Sequence, residues 1–566
     1  MGLRGGQEGE GPVETVGQGQ DPHRISQGHL LQQQPGQQGH AQTFFRQGRR
    51  ENGVRRGGVG QKNVGRVLVQ APEGAVRVEA LRAWDQGELD FFCIGFGAIV
   101  GVGWAVSING WMASCGGPVP AGIGYLLVLI MMVPIGLCYA ELVPMLPVAG
   151  GGMAFAFRAF NDKVAMLSGW ASLGGMIAII PWEAIQITDV LGYLIPGIKS
   201  GPILYNIMDY DIYLIVIVIG TIFSFLLFAL NMRGLAAAAF VQKILCFVLV
   251  GAGILGAIAA LVGGNAGNWQ PIYDVSNPDI YGPGLREVSH HSMFGGVFAI
   301  VVQAAYFLAG FETIPQGVED AGGDVTSVGK TVVLSVTLAC IFYTVLLLCF
   351  GYGWPWQDFV GMARPAASTM FKSLYPGAAG QVLYWILTIG AIAGLFTTWN
   401  GFFTASANML MSMGRGKLIP KAFAYQNANG VAVRGQIVCL VLSLIGPLLG
   451  ANLIDTITCF SALAFILSWT ITSWSAFMLR RTAPDMERPY KMPGGIAMAA
   501  FSSIVCTIVF IMSFIPASPF YGGALAIKML IGWLVIGCIL YLVSAGQRRG
   551  LSEAELEEGV FGSKMG

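Results

Sequence analysis

From residue 89 onward, long apolar runs alternate with short polar interruptions, and each run is close to the ~20 residues a helix needs to cross hydrocarbon. The runs lie at 89–113, 119–144, 164–194, 212–231, 236–263, 293–317, 328–353, 380–412, 434–452, 455–479, 495–516 and 523–545. This pattern predicts an all-α multi-pass membrane protein with twelve transmembrane helices in residues 81–545. Two runs are interrupted. The stretch Gly95-Phe-Gly-Ala-Ile-Val-Gly-Val-Gly-Trp104 holds four glycines in ten residues. Each glycine costs a helix interior roughly 1 kcal/mol relative to alanine, so the first helix is predicted to break around Gly101 and Gly103. A second interruption, Tyr306-Phe-Leu-Ala-Gly-Phe-Glu312, follows five spans later.

Broken backbone at membrane depth is tolerated only where it is buried in protein or lines a cavity, because lipid offers its peptide groups no partners. Gly97 and Gly101 also have the small-xxx-small spacing of ordinary close helix packing. The paired interruptions tip the reading toward a binding site, since such pairs mark transporters built from inverted repeats.

Composition supports the membrane assignment and removes other classes. Only 11% of residues are charged and the mean hydropathy is +0.63. A third of the Lys, Arg, Asp and Glu fall in residues 1–90, which leaves the remainder unusually apolar. The net charge of +1 gives no reason to expect a nucleic-acid partner. The ten cysteines form no CxxC pair and read as buried free thiols. His23, His29, His40, His290 and His291 all lie outside the spans, so no cofactor or metal is expected within the membrane.

Residues 1–80, dominated by Gly, Gln and Arg, cannot bury enough apolar surface to offset chain entropy and read as a disordered cytoplasmic tail. A start nearer Val76 or Val78 would instead make this stretch a start-site artefact. Residues 546–566 are expected to form a cytoplasmic C-terminal tail. Basic residues concentrate in alternate loops, at Arg158 and Lys163, Arg233, Lys330, Arg415 to Arg434, and Arg480 to Lys491. The opposite loops hold Lys199, Arg286, Arg364 and Lys372, so both termini are predicted inside the cytoplasmic membrane.

From about Leu81 to Ser544 the chain resembles the amino acid/polyamine/organocation family of secondary transporters. The resemblance is carried by Gly97-Ala-Ile-Val-Gly-Val-Gly103, Tyr139-Ala-Glu-Leu142 with Pro147 and Ala149-Gly-Gly-Gly152, Asn231-Met-Arg-Gly234 with Gln242, Ala309-Gly-Phe-Glu312 with Glu319-Asp320, and Arg488-Pro-Tyr-Lys-Met-Pro493. It implies a five-plus-five inverted repeat, the leucine-transporter-like fold, with broken helices 1 and 6 and two additional helices. The chain departs from the family pattern in carrying Asn408 where an arginine is frequent and in lacking an Asn-Pro pair within 322–329. Leu249 stands where some proton-coupled relatives carry a lysine in helix five.

A zwitterionic amino acid stripped of water needs partners for a carboxylate and an ammonium. The free amides at Val102 and Gly103, at the positive end of the resumed helix, suit the carboxylate. Carbonyls at Ile99, Tyr306 and Ala309 suit the ammonium. Gly101, Gly103 and Gly310 let a ligand approach the backbone, and Phe307 completes the predicted substrate site. The resemblance implies the same positions. Trp104 and Tyr306 are candidate gating aromatics, against core packing as the plainer reading. Glu183 and Glu312, as ionisable residues within spans, are candidates for coupling or substrate contact; Glu312 alternatively braces unwound backbone. Thr404 and Ser406 are weak sodium candidates, since hydroxyls in apolar helices more often bond their own backbone; a proton is favoured as the coupling ion.

The expected activity is proton-coupled uptake of an amino acid or related amine. The alternatives are a polyamine or amino acid/amine exchanger and a non-transporting nutrient sensor. No enzyme nucleophile pairs with a base. The expected partners are a small-molecule substrate and the lipid bilayer, and no motif specifies an oligomeric state.

Overall fold

The computed structural model describes residues 88–199, 201–207, 210–276, 290–320, 325–362 and 365–562. The expected tail over 1–80 lies outside the described residues, as do Arg286 and Arg364 of the orientation pattern.

Among the described residues, eleven helices of 18 to 38 residues are long and apolar enough to cross a membrane. The remaining apolar run is also helical, as Val433–Leu449, but has only 17 residues. At 1.5 Å per residue it spans about 26 Å, short of the roughly 30 Å hydrocarbon core. It stops at Leu449 because Gly450 turns left-handed, with φ +76°. One antiparallel strand pair, Ile203–Ile207 with Tyr210–Tyr213, is the sole sheet among the described residues.

Burial sorts the helices into a centre and a periphery. The first, third and sixth spans are 83%, 83% and 78% buried, whereas Leu214–Met232 and Ala524–Val543 are 28% and 17% buried. The peripheral helices carry exposed apolar stripes, such as Leu214, Val218, Ile222 and Phe225 at helical spacing, as lipid contact requires. Within the bundle the second span packs along the seventh, the fifth along the eighth, and the third along Ile454–Thr482.

Both interrupted runs are broken. The first span is helical from Glu88 to Ile99, unwinds over 100–102 and resumes as Gly103–Val106 and Ile108–Cys115. The sixth is helical over Met293–Ala299 and Val301–Leu308, turns through 309–312 and resumes at Thr313–Gln316. Ala309 is extended and Gly310 has φ +139°, a conformation that glycine adopts without a Cβ penalty.

At the end of the bundle that carries Arg158, Arg415 and Arg480, the glycine-rich loop after the second span is held from two sides. Ala149 N donates to Glu319 Oε1 at 3.0 Å, Gly150 N to Gln316 Oε1 at 3.1 Å, and Ser412 Oγ to the Ala149 carbonyl at 2.5 Å. Arg415 pairs with Glu319 at 2.9 Å. The buried Glu141 accepts from Arg480 Nε and Nη2 and from Met492 N at 2.9 Å, with Arg488 3.4 Å away. Residues 545–561 fold back onto this end. Their second helix, Glu553–Phe561, starts at a Ser552 capping box, buries Val560 and Phe561, and pairs Glu557 with Arg158 at 3.6 Å.

Candidate functional site

The two breaks touch. A Cβ placed on Gly310 would stand 2.6 Å from Ile99 N and 2.7 Å from the Ala98 carbonyl carbon, so only glycine lets the chains approach this closely. Beside this crossing lies a small cavity of about 20 Å³, lined by Ala98, Ile99, Gly101, Val102, Gly103, Ile179, Trp182, Glu183, Tyr306, Phe307, Ala309, Tyr343, Thr398 and Phe402. Seven of the eight predicted substrate residues are in that lining. The eighth, Gly310, sits behind it as the contact between the two spans.

The unwound peptide groups are individually placed. Val102, Gly103 and Trp104 head the resumed helix, and by helix geometry their amides have no acceptor within it. The Ile99 carbonyl accepts from Tyr343 Oη at 3.1 Å and Gly101 N at 3.2 Å. The Tyr306 carbonyl accepts from Ala309 N at 3.2 Å. The Gly310 carbonyl accepts from Thr313 N at 3.0 Å and Thr313 Oγ1 at 2.6 Å. On the side of the eighth span, a Cβ at Gly101 would run into Thr398 Oγ1, and one at Gly394 would lie 2.6 Å from the Gly101 carbonyl oxygen. Removing the Tyr343 hydroxyl should therefore release one lone pair of Ile99; Tyr343→Phe is expected to cost about 1 kcal/mol, read as a lowered thermal midpoint without loss of the fold.

An aromatic cluster closes the cavity on one side. Phe307 packs edge-on to Trp111 with centroids 4.7 Å apart, Trp111 lies 5.4 Å from Tyr343, and Tyr306 lies 5.5 Å from Trp182. Tyr306 thus belongs to this wall. Trp104 does not line the cavity; it is fully buried and packs 6.3 Å from Phe350.

The two intramembrane acids occupy different settings. Glu183 lines the cavity, with Oε1 3.5 Å from a Cβ position on Gly101. Glu312 does not line it. One of its carboxyl oxygens accepts from Gly310 N at 2.8 Å and the other from the Trp469 indole N–H, so both oxygens are used inside the break.

The weak sodium candidates have different settings. Thr404 Oγ1 is within hydrogen-bonding distance of Asn231 Oδ1 and the Asn400 carbonyl and lines a second cavity, while the buried Ser406 hydroxyl has no partner among the described residues. The eighth-span group that reaches a first-span carbonyl is Thr398, donating to Gly97 O at 3.4 Å. Thr398, Tyr343, Trp182, Ile179 and Phe402 went unnoticed in the sequence. The adjacent Thr397 and Thr398 in an apolar helix were a signal for the first of these; the others sit in runs that are apolar on every face.

The chain matches the amino acid permease family over residues 87–536. It is 24% identical to a branched-chain amino acid permease of Lactococcus lactis subsp. cremoris over 474 residues, covering 81% of this chain and 94% of the relative. It is 20% identical to the branched-chain amino acid permease of Bacillus subtilis, covering 82% and 94%. A D-serine/D-alanine/glycine transporter of Escherichia coli is 24% identical over 258 residues, covering 43% and 53%. With four-fifths of its length inside one family's pattern and two broken spans meeting beside a cavity, this chain belongs to the amino acid permease family and is a multi-pass membrane transporter of amino acids, not an enzyme.

Proposed function

We propose that the protein takes up a small neutral amino acid across the cytoplasmic membrane by alternating access, with both termini inside and twelve spans, the short helix Val433–Leu449 included. The observation that carries this reading is the cavity beside two crossing breaks, where peptide groups, a single acid and the hydroxyl-bearing Tyr306, Tyr343 and Thr398 interrupt a mostly apolar wall. The amides of Val102 and Gly103 suit the substrate carboxylate, and Ile179, Trp182, Phe307 and Phe402 suit an aliphatic side chain. Breaks five spans apart, with the second span packed on the seventh, support a five-plus-five inverted repeat. The concentration of Arg158, Arg415 and Arg480 at one end supports that end as cytoplasmic.

A proton is the favoured coupling ion, because the Thr404 hydroxyl is engaged by Asn231 and the Asn400 carbonyl. A diamine is a poorer fit than a zwitterion, since Glu312 is engaged by Gly310 and Trp469 and leaves Glu183 as the one acid lining the cavity. The relatives named for branched-chain amino acids make leucine, isoleucine and valine the first substrates to assay. In proteoliposomes, an inward pH gradient without sodium is expected to drive their accumulation. A ligand at 100 times its Kd should add about 2.7 kcal/mol to the stability of the purified protein. Sodium-dependent accumulation would overturn the coupling; absence of any neutral amino acid from both assays would overturn the substrate class.

A further inference from the structure

Beyond the last span, residues 545–561 turn back along the end of the bundle that carries Arg158, Arg415 and Arg480, and they bridge two loops far apart in sequence. On one side lies the turn after the eighth span. Gln547 Oε1 accepts from Lys421 N at 2.9 Å, and Arg548 Nη1 donates to the Lys417 carbonyl at 2.7 Å. That carbonyl belongs to a non-glycine residue at φ +55°, a backbone conformation that persists only where its surroundings hold it. The helix Glu553–Phe561 then crosses the Arg415–Gly416 step so closely that a Cβ on Gly559 would stand 2.9 Å from the Arg415 carbonyl oxygen. On the other side lies the helix Gly152–Ala159. There Phe561 packs edge-on to Phe157 with centroids 6.2 Å apart, and Glu557 reaches Arg158 at 3.6 Å.

Both bridged loops carry the contacts that draw this end together. Arg415, beneath Gly559, holds Glu319 at 2.9 Å; Glu319 and Gln316, at the exit of the sixth span, hold the amides of Ala149 and Gly150, which lead straight into Gly152–Ala159. The tail helix thus lies across the closure and fastens its two ends to each other. Its own attachment costs little to undo. Nine residues are too few for a helix to persist alone in water. The Arg158–Glu557 pair is 39% and 41% exposed and contributes little, which leaves Val560 and Phe561 as the buried anchor. An element held so lightly detaches without unfolding the spans.

We propose that residues 545–561 form a releasable strap that keeps this end of the permease shut, lifting from Gly152–Ala159 before Arg415 parts from Glu319 and the cavity beside the breaks opens to this side. The proposal rests on the alternating-access reading and adds the element that controls one of its steps. It makes the tail an inhibitory contact, whose loss should quicken opening.

The test compares the full-length protein with Val560→Asp, which places a charge in the apolar anchor, and with a chain ending at Leu551. Two measurements are made on each: hydrogen exchange of the Ala149 and Gly150 amides in detergent, and counterflow of labelled leucine in proteoliposomes. Both variants are expected to exchange these amides about tenfold or more faster than the wild type and to speed counterflow about twofold or more. Unchanged protection of Ala149 and Gly150 would overturn the strap, as would counterflow no faster than wild type. Should neither variant fold, hydrogen exchange of the wild type decides. The Ala149 and Gly150 amides must then be protected at least as well as those of 553–561, and faster exchange at 149–150 overturns the proposal. A wild type that performs no counterflow of leucine, isoleucine or valine would count against the transport reading; the hydrogen-exchange comparison would still decide whether the tail holds the loop.

Discussion

Gly310→Ala is expected to abolish amino acid uptake and to lower the thermal midpoint sharply. The backbone at Gly310 has φ +139°, which an L side chain rarely adopts, and holding a non-glycine residue in such a region costs roughly 1–3 kcal/mol. The added methyl would also stand 2.6 Å from Ile99 N and 2.7 Å from the Ala98 carbonyl carbon. Those atoms are main chain and cannot rotate away, so relief requires the two spans to separate, at roughly another 1–3 kcal/mol. Separation opens the crossing on which the cavity is built. Gly251→Ala supplies the contrast: a Cβ there meets nothing within 4 Å, and alanine in a helix interior is favoured by up to about 1 kcal/mol. The same change of one methyl should therefore be harmful at 310 and neutral or stabilising at 251. Uptake by Gly310→Ala at more than half the wild-type rate would show that the crossing tolerates widening.

The second large effect is expected at Glu312. Its two oxygens accept from Gly310 N and from the Trp469 indole, both buried. Glu312→Ala leaves two buried donors unpaired, at about 1–3 kcal/mol each, and frees the turn over 309–312 to refold locally. Glu312→Gln preserves the shape but turns an amide NH2 toward one of the two donors, so it should be intermediate; Trp469→Phe, which leaves one Glu312 oxygen without its donor and the Gly310 bond in place, should be milder than Glu312→Ala. Thermal melts of the three variants should fall in that order. Were Glu312→Gln to keep wild-type stability and exchange while losing only pH-driven accumulation, the residue would be a proton carrier and not a brace.

The position of these effects was partly legible from residue order. Four glycines crowded into Gly95–Trp104 and the Ala309-Gly310 step disfavour helix by local energetics, which is why the breaks fell close to where they were expected. The sixth span is interrupted slightly later than the sequence suggested: Tyr306 is still helical, and the chain departs only after Leu308. Glu183 and Glu312 looked alike along the chain, as acids in apolar runs. Their difference lies in partners from distant segments, since Trp469 is 157 residues from Glu312, whereas Glu183 faces the opening between the third span and Gly101. The expected gating residue Trp104 adjoins the first break, but helical rotation turns it onto Phe350.

Residue order by itself determined that this chain crosses membranes repeatedly, roughly where each helix lies, and where two of them give way. Hydropathy and glycine content act over one or two helical turns and need no distant partner. Tertiary structure alone decided which side of each buried helix meets the cavity, which carbonyls are already taken, and which acid is left unmet. A helix that is apolar all round shows no preferred face in its sequence, so those assignments arise only when the third, seventh and eighth spans are packed against the two breaks.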